Sequence, residues 1–218
     1  MTPAKKISRK ERERQQHMTE ILQVAESVFA EKGYDRTRMS DIAKKAEFSV
    51  GYLYQTWEGK EDLYYSLVES KFKEFKRFVQ DKIRSASDPY EQIDVLIDAH
   101  ANFIEQNKAF AKIYLVETSP AEMRILNTVG IRLRRAHTHY LRLVEQIFAD
   151  GIKKGTYASL PPRDLAVALE GMIFAFARDY LRNSSNNDFT HRIDNMKRIF
   201  FHSVLKNTRG KPKERSKS

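Results

Sequence analysis

Between Val50 and Lys60 the chain sets out side chains suited to reading a surface of hydrogen-bond donors and acceptors. Gln55 carries an amide whose oxygen and NH2 group form the acceptor and donor pair that meets adenine in two bonds. Val50 and the Tyr52 ring are apolar enough to meet a thymine methyl, and Gly51 stands between them. The Tyr54 hydroxyl and the Lys60 ammonium can each reach a phosphate oxygen. Ser49 can accept an orphan backbone N–H at a helix start, contact phosphate, or do both. Arg38 and Ser40 open the preceding helix and can hold a phosphate there.

These groups need a scaffold, and the stretch from Thr37 to Trp57 supplies one: two short helices joined by a tight turn. Ile42, Ala43 and Ala46 form the apolar side of the first helix. Glu47-Phe48-Ser49 breaks the pattern. In the second helix Leu53 and Trp57 are four apart, so they share a face and pack inward. A helix this short does not hold itself in water. Fixed by its neighbours, it exposes a compact, mostly uncharged polar and aromatic surface, the profile of a recognition helix in a helix-turn-helix.

Composition narrows the alternatives. The chain has 218 residues, 41% of them hydrophobic and none cysteine. Disulfides, thiolate catalysis and Cys-based zinc sites are therefore excluded. No apolar run is long enough to span a membrane, and the polar, basic N-terminus lacks the apolar core of a signal peptide. The expectation is a soluble cytoplasmic protein. The net charge of +10 is concentrated at the ends. Residues 1–17 hold six Lys/Arg against two Glu, and residues 206–218 hold six against one. Both ends read as disordered, either as solubilising tails or as arms that bind phosphate through counterion release.

Taken in order, the rest is helical. Met18 to Lys32 carries Ile21, Ala25, Val28 and Phe29 on one stripe, and Gly33 can end it in the left-handed conformation. Thr37 and Ser40 both qualify as caps for the next helix. A long helix opens at Lys60 and runs to about Arg84. Asp88 and Pro89 start another, which reaches Gln106 with Ile93, Leu96, Ile97, Ala101 and Ile104 aligned. A short piece covers Phe110 to Glu117. Ala121 to Lys153 is one helix or two, closed by Gly151 and Gly155. Pro161-Pro162 opens a helix to about Asn183, 184–187 is a polar loop, and a last helix spans Asp188 to Lys206. The fold class is all-α with about nine helices.

A helix ending in FAEKGY, then T-x-M-x-DIA-x-x-A, F-S-x-G-x-LY-x-x-W and K-x-DL, resembles the TetR family of bacterial transcriptional regulators. The residues carrying the resemblance are Phe29, Gly33, Tyr34, Thr37, Asp41, Ile42, Ala43, Ala46, Ser49, Gly51, Leu53, Tyr54, Lys60 and Leu63. The resemblance implies an N-terminal three-helix DNA-binding domain and a larger C-terminal helical domain for ligand binding and dimerisation. It implies a homodimer on a palindromic double-stranded operator, acting as a repressor released by a small-molecule effector, with no cofactor. It implies phosphate contacts for Tyr54 and Lys60. The expected boundaries are a basic arm over 1–14, the helix-turn-helix domain over 15–75, the ligand and dimer domain over 76–207, and a basic tail over 208–218. Departures from the family pattern are Glu47 at a turn position usually filled by Gly, Val50 for a common Lys, Tyr52 for a common Thr and Thr56 for a common aromatic. They fall where bases would be read, so they bear on the operator sequence and not on the fold.

For the dimer interface the sequence offers Leu165, Ala168, Leu169, Gly171, Met172, Ala175 and Phe176 on one helix, and Ile193, Met196 and Phe200 on the last. Small residues let two helices approach, and two copies of each helix make a four-helix interface. For an apolar or aromatic effector the candidates are His100, Phe103, Phe110, Tyr114, Asn127, Tyr140, Phe176 and Arg178. Three other functions compete with this one. An enzyme has little to stand on: His137 and His139 are two apart and point about 200° apart on a helix, so they cannot share a metal, and no P-loop, His-Glu-x-x-His or Gly-x-Ser-x-Gly occurs. An architectural DNA binder would not need the large helical remainder. A helical ligand-binding or protein-interaction protein without ligand-controlled operator binding is kept open by the acids around the motif.

Overall fold

A computed structural model describes residues 8–115, 130–183 and 189–206. Asn127, the 184–187 loop and the 208–218 tail lie outside them. Among the described residues there are nine helices: α1 (Arg9–Lys32), α2 (Met39–Lys45), α3 (Val50–Thr56), α4 (Lys60–Ser85), α5 (Pro89–Gln106), α6 (Lys108–Leu115), α7 (Gly130–Lys153), α8 (Pro162–Arg182) and α9 (Phe189–Val204). None of them is long and apolar enough to cross a membrane. The chain divides into two compact units, one made of residues 1–77 and 106–135, the other of 78–105 and 136–218.

The first unit is built around Ile21, Ala25, Val28, Phe29, Ile42, Ala43, Leu53, Trp57, Leu63, Tyr64, Leu67 and Val68, all buried. Tyr64 meets Phe29 and Tyr34 edge-on, with ring centroids 5.3 and 5.1 Å away, within the range that favours such pairs. Beneath them Lys71 donates to Asn107 Oδ1 at 2.6 Å and pairs with Glu26 at 2.9 Å. That ties α4 to α1 and to the residue before α6, and the half-buried ammonium has its compensating partners.

Helix α1 starts nine residues earlier than the apolar stripe indicated, at Arg9 and not Met18, so Arg9–His17 is helical and not a disordered arm. Local chemistry accounts for this. Ser8 Oγ accepts from the Glu11 N–H at 3.2 Å, and Arg9 pairs with Glu13 one turn on. Gly33 ends α1 at φ 76°, as expected, but its ψ of 159° lies beyond the left-handed helical region, in a zone that glycine alone enters readily. Neither Thr37 nor Ser40 caps α2. Thr37 Oγ1 is buried and donates to Gly33 O at 2.8 Å, while the Asp41 carboxylate takes the Arg38 N–H at 2.9 Å. The helix begins at Met39 with Arg38 as its N-cap residue, so neither hydroxyl stands at the cap position.

In the second unit Asp88 Oδ1 accepts from the Glu91 N–H at 2.9 Å and Pro89 opens α5, as its sequence indicated. Ile93, Leu96, Ile97, Ala101 and Ile104 are all buried. Gly151 does not close α7. It lies within the helix, and a Cβ there would come 2.3 Å from Cδ2 of Tyr157. Tyr157 is 1% exposed and donates its hydroxyl to Pro89 O at 2.9 Å, so the absent side chain makes room for a ring. Residues 156–158 then run beside 204–206 through a single antiparallel bridge, Tyr157 to Leu205. Lys197 holds Asp94 at 2.8 Å and Asp98 at 2.7 Å, joining α9 to α5.

Candidate nucleic-acid interface

The turn between α2 and α3 forms as its sequence requires. Glu47 takes φ 61°, the left-handed value that the family pattern reserves for Gly. Ser49 Oγ accepts from the Tyr52 N–H at 3.1 Å and caps α3. Leu53 is fully buried and Trp57 is 2% exposed, with its indole N–H donated to Ser66 Oγ at 3.0 Å. Those two side chains clamp α3, and Tyr52 and Thr56 are half-buried. Ser49, Gly51 and Gln55 are exposed, as are Val50 at 38% and Tyr54 at 54%. Arg38 and Ser40 are exposed at the start of α2.

Two expected contact residues have internal duties as well. Tyr52 is half-buried. Its ring stacks on Phe48 at 5.1 Å and its hydroxyl lies 3.1 Å from His17 Nδ1. The Lys60 ammonium donates to Tyr34 O at 2.8 Å and sits 4.3 Å above the Tyr34 ring. It fixes the start of α4 against the turn after α1. His17 was missed by sequence reasoning because nothing local links it to Tyr52, 35 residues away.

The proposed effector residues divide between the two units. In the first, Phe110 stacks on Tyr114 at 5.7 Å, and Tyr114 meets Phe72 edge-on at 5.5 Å. In the second, His100 is buried, with Nδ1 2.8 Å from Leu96 O and Nε2 3.0 Å from the Tyr140 hydroxyl. A carbonyl only accepts, so Nδ1 carries the proton and the phenol donates to Nε2. Burial pushes His100 down to about 4, so the ring is neutral, and burial and the Glu170 charge hold Tyr140 well above its ordinary value. Beside them His137 Nε2 lies 2.6 Å from Glu170 Oε1, and that hydrogen bond raises His137. His137 and Glu170 are 33 residues apart and carry no shared signal in the sequence. Phe103 and Phe176 are half-buried, and Arg178 is exposed on α8.

The dimer residues need correction. Leu165, Leu169, Ile193, Met196 and Phe200 are 0–4% exposed inside the second unit, so they have no surface to offer a partner. Ala168, Gly171 and Ala175 are exposed on α8, with Met172 and Phe176 half-buried. Val167, 49% exposed on α8, and Ile199, 54% exposed on α9, were not foreseen.

A capped, clamped seven-residue helix with exposed polar and aromatic residues, set after a second short helix, makes a helix-turn-helix. Two family models cover almost the whole described chain: "Bacterial regulatory proteins, tetR family" over residues 21–67, and "YsiA-like protein, C-terminal region" over residues 68–206. The chain belongs to the TetR family of bacterial regulators. It is similar to the fatty acid metabolism regulator protein of Bacillus subtilis, 25% identical over 136 residues that make up 62% of this chain and 68% of that one. Its fold resembles that of the Bacillus subtilis FadR crystallised with stearoyl-CoA, with a TM-score of 0.75, 21% identity, and coverage of 84% of this chain and 97% of that one. It also resembles FadR from Bacillus halodurans, with a TM-score of 0.74, 22% identity, and coverage of 89% and 97%.

Proposed function

We propose that this chain is a homodimeric repressor that holds a palindromic operator through α2 and α3 and leaves it when a long-chain acyl thioester binds. The observation that carries the operator reading is the outward surface of α3, fixed from behind by Leu53 and Trp57. Gln55, Val50, Gly51 and the outer edge of Tyr52 read bases. Arg38, Ser40, Ser49 and Tyr54 hold phosphates, and Lys60 supports them by anchoring α4. Two recognition helices one helical turn apart, about 34–36 Å, match two half-sites in successive major grooves. A two-fold interface using the exposed small stripe of α8, together with Val167 and Ile199, would set that spacing.

The effector class is supported by the relative crystallised with stearoyl-CoA and by the weight of apolar and aromatic side chains among the candidates. His100 and Tyr140 are the polar pair brought together among them. Ligand binding that favours another spacing of the recognition helices needs a coupling of about 1–3 kcal/mol to be felt. The test is a duplex enriched by the protein from random DNA, challenged with stearoyl-CoA and with free CoA. Release by the first and not the second is expected. Unchanged binding in both would reject the acyl effector while leaving the operator reading intact.

A further inference from the structure

Lys10, Arg14, His17 and Ile21 fall at i, i+4, i+7 and i+11 of α1, so they lie along one face, and Val28 continues the same line. Ile21, Ala25 and Val28 are buried on this side of the helix. Toward the N-terminus the line continues past the packed part of the unit, for Arg9–Gln16 are all exposed. His17 stands at the junction. Its ring lies 5.1 Å from Phe48 and 5.9 Å from Tyr52, so this face arrives beside the start of α3. Lys10 and Arg14 take no ion pair among the described residues, whereas Arg9 is spent on Glu13. The matched family segment begins only at residue 21, so these turns lie ahead of it. Residues 18–64 hold six basic against nine acidic side chains, so the helix-turn-helix itself brings no net positive charge to a polyanion.

We propose that the first turns of α1 are a second nucleic-acid-binding element, in which Lys10 and Arg14 contact the sugar–phosphate backbone beside the half-site read by α3. This rests on the reading of α3 as a recognition helix. The occupant is a DNA duplex, because the two cations complement phosphate and project from the face that His17 aligns with the reading surface. Backbone contacts of this kind add affinity without sequence information, and each releases counterions. They offset the acidity of the domain they precede.

The test uses the full chain and two probes: the duplex that the wild-type protein enriches from random DNA, and a scrambled duplex of equal length. Binding is measured across a salt series for wild type, K10Q/R14Q, R9Q/R12Q and Gln55→Ala, with helical content checked by circular dichroism. R9Q/R12Q removes the same charge from the other side of α1. K10Q/R14Q should weaken both duplexes by the same factor, tenfold or more at about 0.1 M salt, and flatten the log K against log salt slope by about 2 per protomer. R9Q/R12Q should keep most of the wild-type slope, and Gln55→Ala should weaken the enriched duplex alone. Equal losses in the two charge variants, or no loss in K10Q/R14Q, would overturn the proposal. If wild type enriches no sequence, the recognition-helix reading fails instead, and the slope change on the scrambled duplex still decides the α1 contact.

Discussion

On α3 Val50, Tyr54 and Gln55 are exposed to water, whereas around His100 the polar and aromatic side chains face one another. Val50, Tyr54 and Gln55 are exposed, and Leu53 and Trp57 do the holding from behind. His100 and Tyr140 satisfy each other, and Glu170 is taken by His137. The first arrangement leaves hydrogen-bonding capacity for a partner at little cost to the fold. The second ties its groups into the fold, so that protonation there changes stability. Recognition groups are thus separable from stability in one region and coupled to it in the other.

The strongest challenge to this contrast is at the clamp. Trp57→Ala should destabilise the chain by about 3–5 kcal/mol, because a large buried ring is lost and Ser66 loses its donor. Chemical denaturation followed by circular dichroism reads it, since the variant removes the chain's single tryptophan. Next in size is acid sensitivity from His100. Its folded pKa of about 4 lies below the ordinary 6.5, so the unfolded chain binds the extra proton between these values. Stability should be present above pH 6.5 and lost as pH falls toward 4, by about 3 kcal/mol at most. His137, raised by Glu170, works with the opposite sign: its contribution is present below 6.5 and fades as pH rises through its raised pKa. Thermal melts across this range, repeated on His100→Asn, should show the acid loss shrink in the variant.

Smaller effects sharpen the same contrast. Gly151→Ala should cost about 1–3 kcal/mol of stability, since a Cβ would strike the Tyr157 ring. Gln55→Ala should leave the denaturation midpoint nearly unchanged yet remove about 1–3 kcal/mol of preference for the enriched duplex over a scrambled one. A matching loss of stability would show that Gln55 belongs to the fold after all. Glu47→Gly should raise stability by about 0.5–1 kcal/mol, because glycine takes φ 61° without strain.

The α2–α3 region was legible because its signals are local. Ser49 precedes the N–H it accepts by three residues, Leu53 and Trp57 are one turn apart, and the family motif falls within about fifty residues. Reading failed where the decision was made by competition or distance. Helix α2 takes Arg38 as its N-cap residue, with Asp41 at the third helical position accepting the Arg38 N–H, and Thr37 turns its hydroxyl back to Gly33 O. The first turns of α1 bury nothing, so no apolar period announced them. On α8 and α9 the apolar residues are too many for the pattern to say which face meets the core, and Leu165, Leu169, Ile193, Met196 and Phe200 went inward. His100 finds Tyr140 across 40 residues, and only the folded chain brings them together.

The reading surface of α3 is tested most directly by exposing the purified chain to random duplex DNA and sequencing what it retains. Enrichment of an inverted repeat with half-site centres about one helical turn apart is the predicted result. Retention of all sequences alike, or an identical sequence preference in a Tyr52→Ala/Gln55→Ala variant, would contradict it.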